Sequence, residues 1–446
     1  MFCFKSFKIL TLICLLFSLF LFIATQSQTF KFQIKYIILP ILDNYHLLRN
    51  LDDSKKINKF ESNKYKNFYS IETNLKKENQ SKNDNIYIEK NVYELPLTNY
   101  SSNQQKSVGY LSQNSDYNFI ITGDGYIFYY LITPNNSLEL IKIHSNISEF
   151  RGYEFIRSPG YYGVKGAYAD DKFLYISYTK EVKKNCFNTS LLKGEINDSF
   201  INFSELFTFP ECIPRSISLA HAAGGAVNEY SKNELILTIG DYLLTTYTDR
   251  PLAQNLKSLF GKIIKINKYD GSYQILSMGH RNPQGVFHQV EKNKIISVEH
   301  GPNGGDEVNL YTSNSVGIKN FGWPISSYGE FYNLKRKKTR NASLFKNHKK
   351  YNFIEPIKYY TPSIGISSII PSNEGNLYII GAMGFDLDEG DMSLHLAQFE
   401  EGYNIFNTKK IIEIHDRIRS INYFDKSYVM LTENLPRLII FDLYLN

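Results

Sequence analysis

The densest run of side chains able to do chemistry lies between residues 279 and 330. It reads GHRNPQGVFHQV, then VEHGPNGGDEVNLY, then NFGWPISSYGE, and it is rich in Gly, Pro, Asn, His and acids. Polar loops on a rigid β scaffold are where binding and catalytic sites concentrate. Taken alone, GPNGGDE could offer carbonyl and carboxylate oxygens to a hard cation. A Gly-rich turn with capping acids is the alternative, and both stay open at this point.

Arginine is scarce, with 11 Arg against 39 Lys, so each Arg is worth inspecting as a candidate for a position that Lys cannot fill. Arg281 lies in the first polar piece, and Arg417 and Arg419 form an RIR sequence. Alternate residues of a strand share one face, so the RIR pair could reach one site together. Two surface arginines on an edge strand is the alternative.

The elements that must position these residues are short apolar and aromatic runs. Six of them begin at intervals of 48, 62, 60, 82 and 51 residues: Gly123–Leu131, Asp171–Thr179, Asn233–Asp241, Asn293–Gly301, Gly375–Met383 and Lys426–Asn434. No long helical periodicity lies between them, and 34 Tyr and 31 Phe favour β structure. The pattern predicts an all-β, six-bladed β-propeller. A two-layer β-sandwich would require the chain to divide into two domains.

Further pieces follow in order: His221-Ala-Ala-Gly-Gly, LTIGD ending at Asp241, and AQNLKSLFGKIIKINKYDGS over Ala253–Ser272. With GHRNPQG, EHGPNGGDEVNL, GWP and RIR, they resemble the soluble pyrroloquinoline-quinone-dependent sugar dehydrogenases, the glucose/sorbosone dehydrogenase group. The resemblance covers roughly residues 110 to 440. It implies the same six-bladed fold.

The resemblance also implies roles for individual residues. His221 matches the general base that takes the proton from the sugar hydroxyl, and Asp241 matches the acid that orients it. Arg281 matches a residue at the reacting centre. The residues matched to binding of pyrroloquinoline quinone are Asn282, Gln284, Asp306, Arg417 and Arg419. The carbonyls of Gly301 and Pro302 match the ligands of Ca²⁺.

The chain departs from the family pattern at four places. Ala226 replaces the Arg of Gly-Gly-Arg-Leu, Gly384 falls where a basic residue is usual, Ser158 replaces Gln or Glu, and Ala220 replaces an acid. Loss of cationic contacts to a triacid cofactor weakens binding, because each charge-assisted hydrogen bond contributes about 1.5–3 kcal/mol. The pattern therefore indicates altered substrate choice or weaker quinone affinity.

These observations predict a quinoprotein dehydrogenase that oxidises an aldose sugar or related polyol, with Ca²⁺ and pyrroloquinoline quinone as cofactors and His221 as base. An external electron acceptor is expected, because no C-x-x-C-H haem motif occurs. A non-redox propeller that binds carbohydrate or protein is one alternative, and a Ca²⁺-dependent lactonase is another. The net charge of +6 does not imply a nucleic acid partner.

The N-terminal quarter of the chain is predicted to be a targeting segment followed by a spacer. Residues 1–27 are predicted to form a signal or anchor segment whose apolar run, 9–24, is either an uncleaved membrane helix or a cleaved signal. Either places the remainder outside the cytoplasm, on the periplasmic side. Residues 28–105 are predicted to form a polar, largely unstructured linker, with an extra β element near 86–95 as the alternative. Residues 106–446 would form the propeller.

Four Cys are too few for a disulfide-rich scaffold. Only Cys186 and Cys212 fall in the exported part. An oxidising compartment permits a disulfide between them, and two unpaired buried thiols is the alternative.

Overall fold

The computed structural model describes residues 70–73, 75–79, 86–97, 109–244, 250–302, 304–314, 316–330, 347–372, 376–384, 391–400, 405–424 and 426–445. All of them belong to one compact unit, 67–446. The segment 1–27, with its apolar run 9–24, lies outside these residues. Within them, no helix has the length and apolar character needed to cross a membrane.

The described residues form short strands and very few helices. In chain order the strands are β1 Ser70–Thr73, β2 Leu75–Asn79, β3 Ile86–Glu94, β4 Gly109–Gln113, β5 Asn118–Thr122, β6 Ile127–Ile132, β7 Leu138–Ser145, β8 Val164–Ala169, β9 Phe173–Lys183, β10 Cys186–Glu195, β11 Phe200–Ile201, β12 Phe203–Phe207, β13 Ile213–Pro214, β14 Gly224–Ser231, β15 Glu234–Ile239, β16 Lys262–Asn267, β17 Tyr273–Met278, β18 Pro283–Gln289, β19 Lys294–Glu299, β20 Asp306–Thr312, β21 Lys319–Asn320, β22 Lys358–Tyr360, β23 Ile366–Pro371, β24 Leu377–Ala382, β25 Ser393–Glu400, β26 Ile405–Glu413, β27 Ile418–Phe424, β28 Ser427–Thr432 and β29 Arg437–Leu445. The helices are α1 Tyr153–Arg157 and α2 Pro159–Tyr162, with 3₁₀ turns at Ile147–Phe150, Leu252–Gln254, Val290–Lys292 and Lys349–Tyr351.

These strands make six sheets, which are the blades of a β-propeller. Their main paths, from the innermost strand outwards, are β4-β5-β6-β7-β1, β8-β9-β10-β12, β14-β15-β16-β17-β21, β18-β19-β20-β22, β23-β24-β25-β26 and β27-β28-β29-β3-β2. The first strand of each blade contacts the first strand of the next, and β27 contacts β4. We call the closed set β4, β8, β14, β18, β23 and β27 the inner ring. The predicted six-bladed, all-β fold is confirmed.

The blades are held together by apolar side chains between neighbouring sheets. In β15 of blade three the side chains of Leu235, Leu237 and Ile239 are fully buried, and they pack in one cluster with Tyr175 of β9 and Leu191 of β10 in blade two. Branched and aromatic side chains suit such pleated, covered surfaces. The abundance of Tyr and Phe is thus accounted for by packing between blades.

The interpretation of residues 28–105 as a largely unstructured linker is wrong for the part that the structure describes. Strand β3 pairs with β29 in continuous antiparallel register, from Arg437 opposite Glu94 to Leu445 opposite Ile86. Its side chains Val92 and Tyr93 are buried. The alternative of a β element near residues 86–95 therefore holds, and the propeller begins upstream of residue 106. The reason is that β3 completes blade six with a partner at the far end of the chain.

Cys186 and Cys212 form a disulfide, with their Cα atoms 5.4 Å apart. Cys186 begins β10, and the partner strand β13 starts one residue after Cys212, so the bond lies where the two strands pair. Of the two alternatives for these cysteines, the disulfide is the one found.

Candidate functional site

His221 lies in the turn that precedes β14 and its side chain is exposed. Its imidazole stacks on the ring of Tyr161 in α2, with centroids 4.9 Å apart and planes 26° apart. The ring is therefore oriented by an aromatic surface and still open to a substrate. An imidazole in this setting can accept a proton near neutral pH. The assignment of His221 as base stays a prediction.

Asp241 follows β15 and is buried. One of its carboxylate oxygens accepts a hydrogen bond from the backbone N–H of Leu243 at 2.8 Å, and the other accepts from the indole N–H of Trp323 at 2.7 Å. The Arg281 guanidinium lies over the Trp323 ring, 5.6 Å from its centroid. Trp323 therefore links two of the predicted catalytic residues, and the sequence analysis did not assign it that role.

Glu299, at the end of β19, organises the GHRN piece. Its Oε2 accepts from the backbone N–H of Arg281 at 2.7 Å, and its Oε1 is 2.9 Å from Nδ1 of His280. The other ring nitrogen of His280 lies 2.8 Å from Oγ of Ser277. This Ser–His–Glu series has the spacing of a nucleophilic triad, but all three residues are buried and no substrate can reach the serine. We therefore assign it a positioning role.

The GPNGG loop brings a cation and an acid together. Arg281 donates through one terminal nitrogen to the carbonyl of His300 at 3.0 Å and to that of Gly301 at 2.5 Å. Asp306 accepts from the backbone N–H of Gly301 at 3.1 Å and from the Ser363 hydroxyl at 2.9 Å. These are the contacts of a turn capped by an acid. The role of Asp306 in cofactor binding stays a prediction.

Close backbone packing explains the glycines of this loop. A Cβ on Gly301 would lie 2.1 Å from the carbonyl oxygen of Gly305, and one on Gly305 would lie 2.1 Å from the nitrogen of Gly329. Gly305 also has a φ of +71°, which favours glycine.

Arg417 and Arg419 converge on a single buried carboxylate, that of Glu433. Nε of Arg417 donates to it at 3.0 Å, and a terminal nitrogen of Arg419 donates to both oxygens at 2.7 and 2.8 Å. Burial on its own would raise the pKa of Glu433, but the two arginines outweigh it and hold this pKa below its ordinary value. The predicted pair is thus brought to one place, and Glu433 is the residue that holds it there.

His300 joins the two arginine groups. Burial lowers its pKa, and the positive charges of Arg281, Arg417 and Arg419 lower it further against the opposing effect of Asp306. Charges act in this way only over short distances, so these residues lie near one another.

Asn282 connects that region to the turn that carries His221. Its carbonyl oxygen accepts from the backbone N–H of Gly224 at 3.2 Å and from the Gln284 amide at 2.9 Å. Its amide nitrogen lies 3.4 Å from Nδ1 of His300. Hydrogen bonds thus join the predicted polar residues of blades three and four, and the arginines of blade six act on His300 through their charge.

Comparison with known proteins shows the family of this chain. A family model described as Glucose / Sorbosone dehydrogenase matches residues 160–438. The chain belongs to the glucose/sorbosone dehydrogenase family. Membership indicates sugar dehydrogenase activity, as the motifs of the sequence predict.

Relatives carry related names. Over 178 residues the chain is 28% identical to "Aldose sugar dehydrogenase YliI" of Escherichia coli, covering 37% of this chain and 45% of the relative. Over 112 residues it is 30% identical to "Quinoprotein glucose dehydrogenase B" of Acinetobacter calcoaceticus, covering 22% of each. The apo crystal structure of the soluble aldose sugar dehydrogenase of E. coli matches 80% of this chain and all of its own length, with 19% identity and a TM-score of 0.58. That structural likeness shows the fold.

One departure from the family pattern, Gly384, lies beside a residue that contacts an arginine. Gly384, Ala226 and Ser158 bring no cation, and the backbone carbonyl of Met383 instead accepts from Arg417 at 3.1 Å. The sequence analysis missed a cation nearby, Lys165 of β8, which is buried. The sequence gives little indication of this, because a lysine in a strand is normally one of the residues that face solvent.

The donor sets can be tested against the two implied cofactors. Two arginines and Lys165 carry three positive charges against the one negative charge of Glu433, and Nε of Arg419 is buried with no partner among the described residues. This set of cations fits an anion with several carboxylates.

The carbonyl oxygen of Gly301 is one of the two predicted Ca²⁺ ligands. It already accepts a hydrogen bond from Arg281, which leaves it one lone pair for a metal ion. The described residues contain no cluster of three His, Cys, Asp or Glu side chains suited to a metal.

Proposed function

We propose that the protein oxidises an aldose sugar or related polyol with pyrroloquinoline quinone as electron acceptor. The observation that carries the proposal is the presence, in one fold, of an exposed imidazole, His221 on Tyr161, and of two partly buried arginines, Arg417 and Arg419, held on the buried carboxylate of Glu433. The first suits removal of a proton from a hydroxyl, and the second suits a polycarboxylate cofactor. The family and the names of its relatives support the same function.

In this proposal the side chains divide the work. His221 accepts the hydroxyl proton at a ring nitrogen, while Tyr161 keeps the ring in one plane. Arg417 and Arg419 bind ligand carboxylates, and Glu433 keeps both guanidinium groups in position before the ligand arrives. When bound, the quinone supplies a two-electron acceptor, with Ca²⁺ on the carbonyls of Gly301 and Pro302 as Lewis acid.

The proposal also covers the cellular location of the protein and its electron acceptor. A disulfide between Cys186 and Cys212 supports a location outside the cytoplasm, because disulfides persist in oxidising compartments. We propose that the protein works there with an external electron acceptor, and that residues 9–24 either anchor it in the membrane or are removed on export.

The test uses the full-length protein with Ca²⁺ and pyrroloquinoline quinone. Quinone binding is measured by calorimetry, and turnover is measured by dye reduction with a panel of aldoses. His221→Ala should abolish turnover and leave quinone affinity nearly unchanged. The matched control is His288→Ala, because His288 also stacks on a tyrosine, Tyr230, with centroids 4.5 Å apart, but belongs to β18 outside the set described above. It should retain turnover.

Three results would count against the proposal. Absence of quinone binding at micromolar concentration would leave the non-redox propeller as the better reading. Loss of quinone affinity alone in His221→Ala would contradict the assignment of this residue as base. Hydrolysis of lactones without quinone would favour the lactonase alternative.

A further inference from the structure

Lys165 is a buried cation on the second residue of β8, in the inner ring. Only 8% of the residue is exposed. Among the described residues, its ammonium has one hydrogen bond, to the uncharged carbonyl of Gly160 at 2.8 Å, and no ion pair with a carboxylate. A buried ammonium without a counter-ion is costly, because it has lost its hydration. A ligand anion would supply what this position lacks.

Lys262 shows what a purely structural buried lysine looks like in the same chain. Its ammonium donates to three backbone carbonyls, those of Leu252, Ala253 and Phe260, at 2.9–3.0 Å. An ammonium has three N–H donors, so Lys262 is fully satisfied within the protein. Lys165 uses one donor in the described structure and keeps two.

The surroundings of Lys165 connect the two halves of the candidate site. Gly160, its acceptor, precedes Tyr161, on which His221 stacks. Arg419 and Glu433 lie close enough to act on its charge, the first lowering and the second raising its pKa. Lys165 therefore contacts the residue that precedes Tyr161 and lies within electrostatic reach of Arg419.

A glycine on the adjacent blade makes room for this lysine. The stem of Lys165 lies against Gly225 of β14, where an added Cβ would come within 2.2 Å of the Lys165 Cβ. Gly225 also has a φ of +101°, which favours glycine, so the backbone there is suited to the close approach.

We propose that Lys165 binds a carboxylate of the ligand held by Arg417 and Arg419. Three cations against Glu433 leave two positive charges, which suits a compound with two or three carboxylates. The inference rests on the proposed function, in which that compound is the triacid pyrroloquinoline quinone. A uronic acid substrate would offer the same group from the sugar side, and the experiment separates these two sources.

The charge of Lys165 gives the proposal a second readout. Burial lowers its pKa to about 7, with Arg419 adding to the effect and Glu433 opposing it. Tyr110 of β4, whose pKa is raised by burial, is a further titratable group beside Arg419. The ammonium is present below that pKa and is lost above it, so anion affinity should fall as the pH rises from about 7.

The experiment compares full-length wild type with two variants. Lys165→Met removes the ammonium proposed to bind the ligand, and the matched control Lys262→Met removes a buried ammonium that is satisfied within the protein. Calorimetry measures binding of pyrroloquinoline quinone at several pH values, and competition compares glucuronate with glucose. We expect Lys165→Met to lose about 10- to 100-fold in quinone affinity and to lose the decline above neutral pH. Lys262→Met should bind as wild type does, although it is less stable.

The quinone measurement and the glucuronate competition together distinguish the possible sources of the carboxylate. Unchanged quinone affinity with loss of the preference for glucuronate over glucose in Lys165→Met supports the proposal and identifies the substrate as the source of the carboxylate. If Lys165→Met binds both anions as wild type does, the proposal is overturned, while quinone binding by wild type keeps the proposed function. If wild type binds no quinone, the proposed function fails and the glucuronate arm alone decides on Lys165. Failure of wild type to bind either anion overturns both.

Discussion

The carboxylate of Asp241 accepts a 2.7 Å hydrogen bond from the indole N–H of Trp323, which lies 82 residues further along the chain. Both residues are buried, and the indole also carries the Arg281 guanidinium on its face. The only tryptophan of the chain therefore ties the end of β15 to the GHRN piece. Asp241 was predicted to orient His221, and this contact shows that it also holds the end of β15 against Trp323.

Removing the indole N–H should destabilise the protein. In Trp323→Phe one oxygen of Asp241 loses its donor inside the protein, and an unsatisfied buried acceptor costs about 1–3 kcal/mol. We expect the free energy of unfolding in urea, followed by circular dichroism, to fall by that amount. The control is Tyr269→Phe, which removes an exposed hydroxyl that donates to Asn233 at 3.3 Å. Equal changes in the two variants would contradict the importance of the Asp241–Trp323 contact.

The stack of Tyr161 on His221 should contribute to turnover. Aromatic pairs are worth about 0.5–1.5 kcal/mol beyond burial, so Tyr161→Leu should lower kcat by roughly 2- to 10-fold. The pH dependence of kcat should also broaden or shift, because the imidazole is no longer held in one plane. Tyr161→Phe keeps the ring and should behave as wild type. A loss of equal size in Tyr161→Phe would point to the hydroxyl instead of the stack.

Glu433 should control both stability and its dependence on pH. Glu433→Gln leaves the partly buried Arg417 and Arg419 without their carboxylate, and breaking a fully buried ion pair costs about 3–5 kcal/mol, so we expect a loss toward the lower end of that range. We expect a lower melting temperature, with pyrroloquinoline quinone restoring more stability to the variant than to wild type. A smaller gain from quinone in Glu433→Gln would show that the glutamate is needed for binding itself.

The lowered pKa of Glu433 sets the direction of the pH effect. A carboxyl whose folded pKa lies below its unfolded value, about 4.3, stabilises the protein above that value. The contribution disappears as the pH falls through the folded pKa. Wild type should therefore lose stability in acid more steeply than Glu433→Gln, as measured by denaturant unfolding between neutral pH and about pH 3. Parallel curves would contradict the assignment of Glu433 as the acid-sensitive group.

The strand β3 should be needed for folding. A chain that begins at residue 106 lacks the partner of β29 and the buried side chains of Ile88, Val92 and Tyr93. Each such side chain is worth about 1.5–3 kcal/mol, and the sum approaches the whole stability of a typical domain. We expect this chain to be insoluble or to unfold without cooperativity, whereas a chain that begins at residue 67 should unfold in one transition. Cooperative unfolding of the shorter chain would show that blade six closes without β3.

Some features follow from short stretches of sequence. The six apolar runs and the ordered motifs predict the propeller, because a blade is a local unit whose strands are neighbours along the chain. The type and spacing of Arg417 and Arg419 likewise predict that the two side chains reach one place, since alternation along an extended segment is local; Arg417 immediately precedes β27 and Arg419 lies within it.

Other features depended on partners far away in the chain. The polar composition of residues 28–105 conceals β3, because its partner β29 lies at the opposite end of the sequence. Lys165 and Glu433 carry no motif of their own, and their meaning comes from the inner ring that brings blades two and six near each other. The sequence by itself determined which groups are present. Tertiary structure decided which buried charges are already paired and which await a ligand, because the cost of a buried charge depends on the neighbours that the fold supplies.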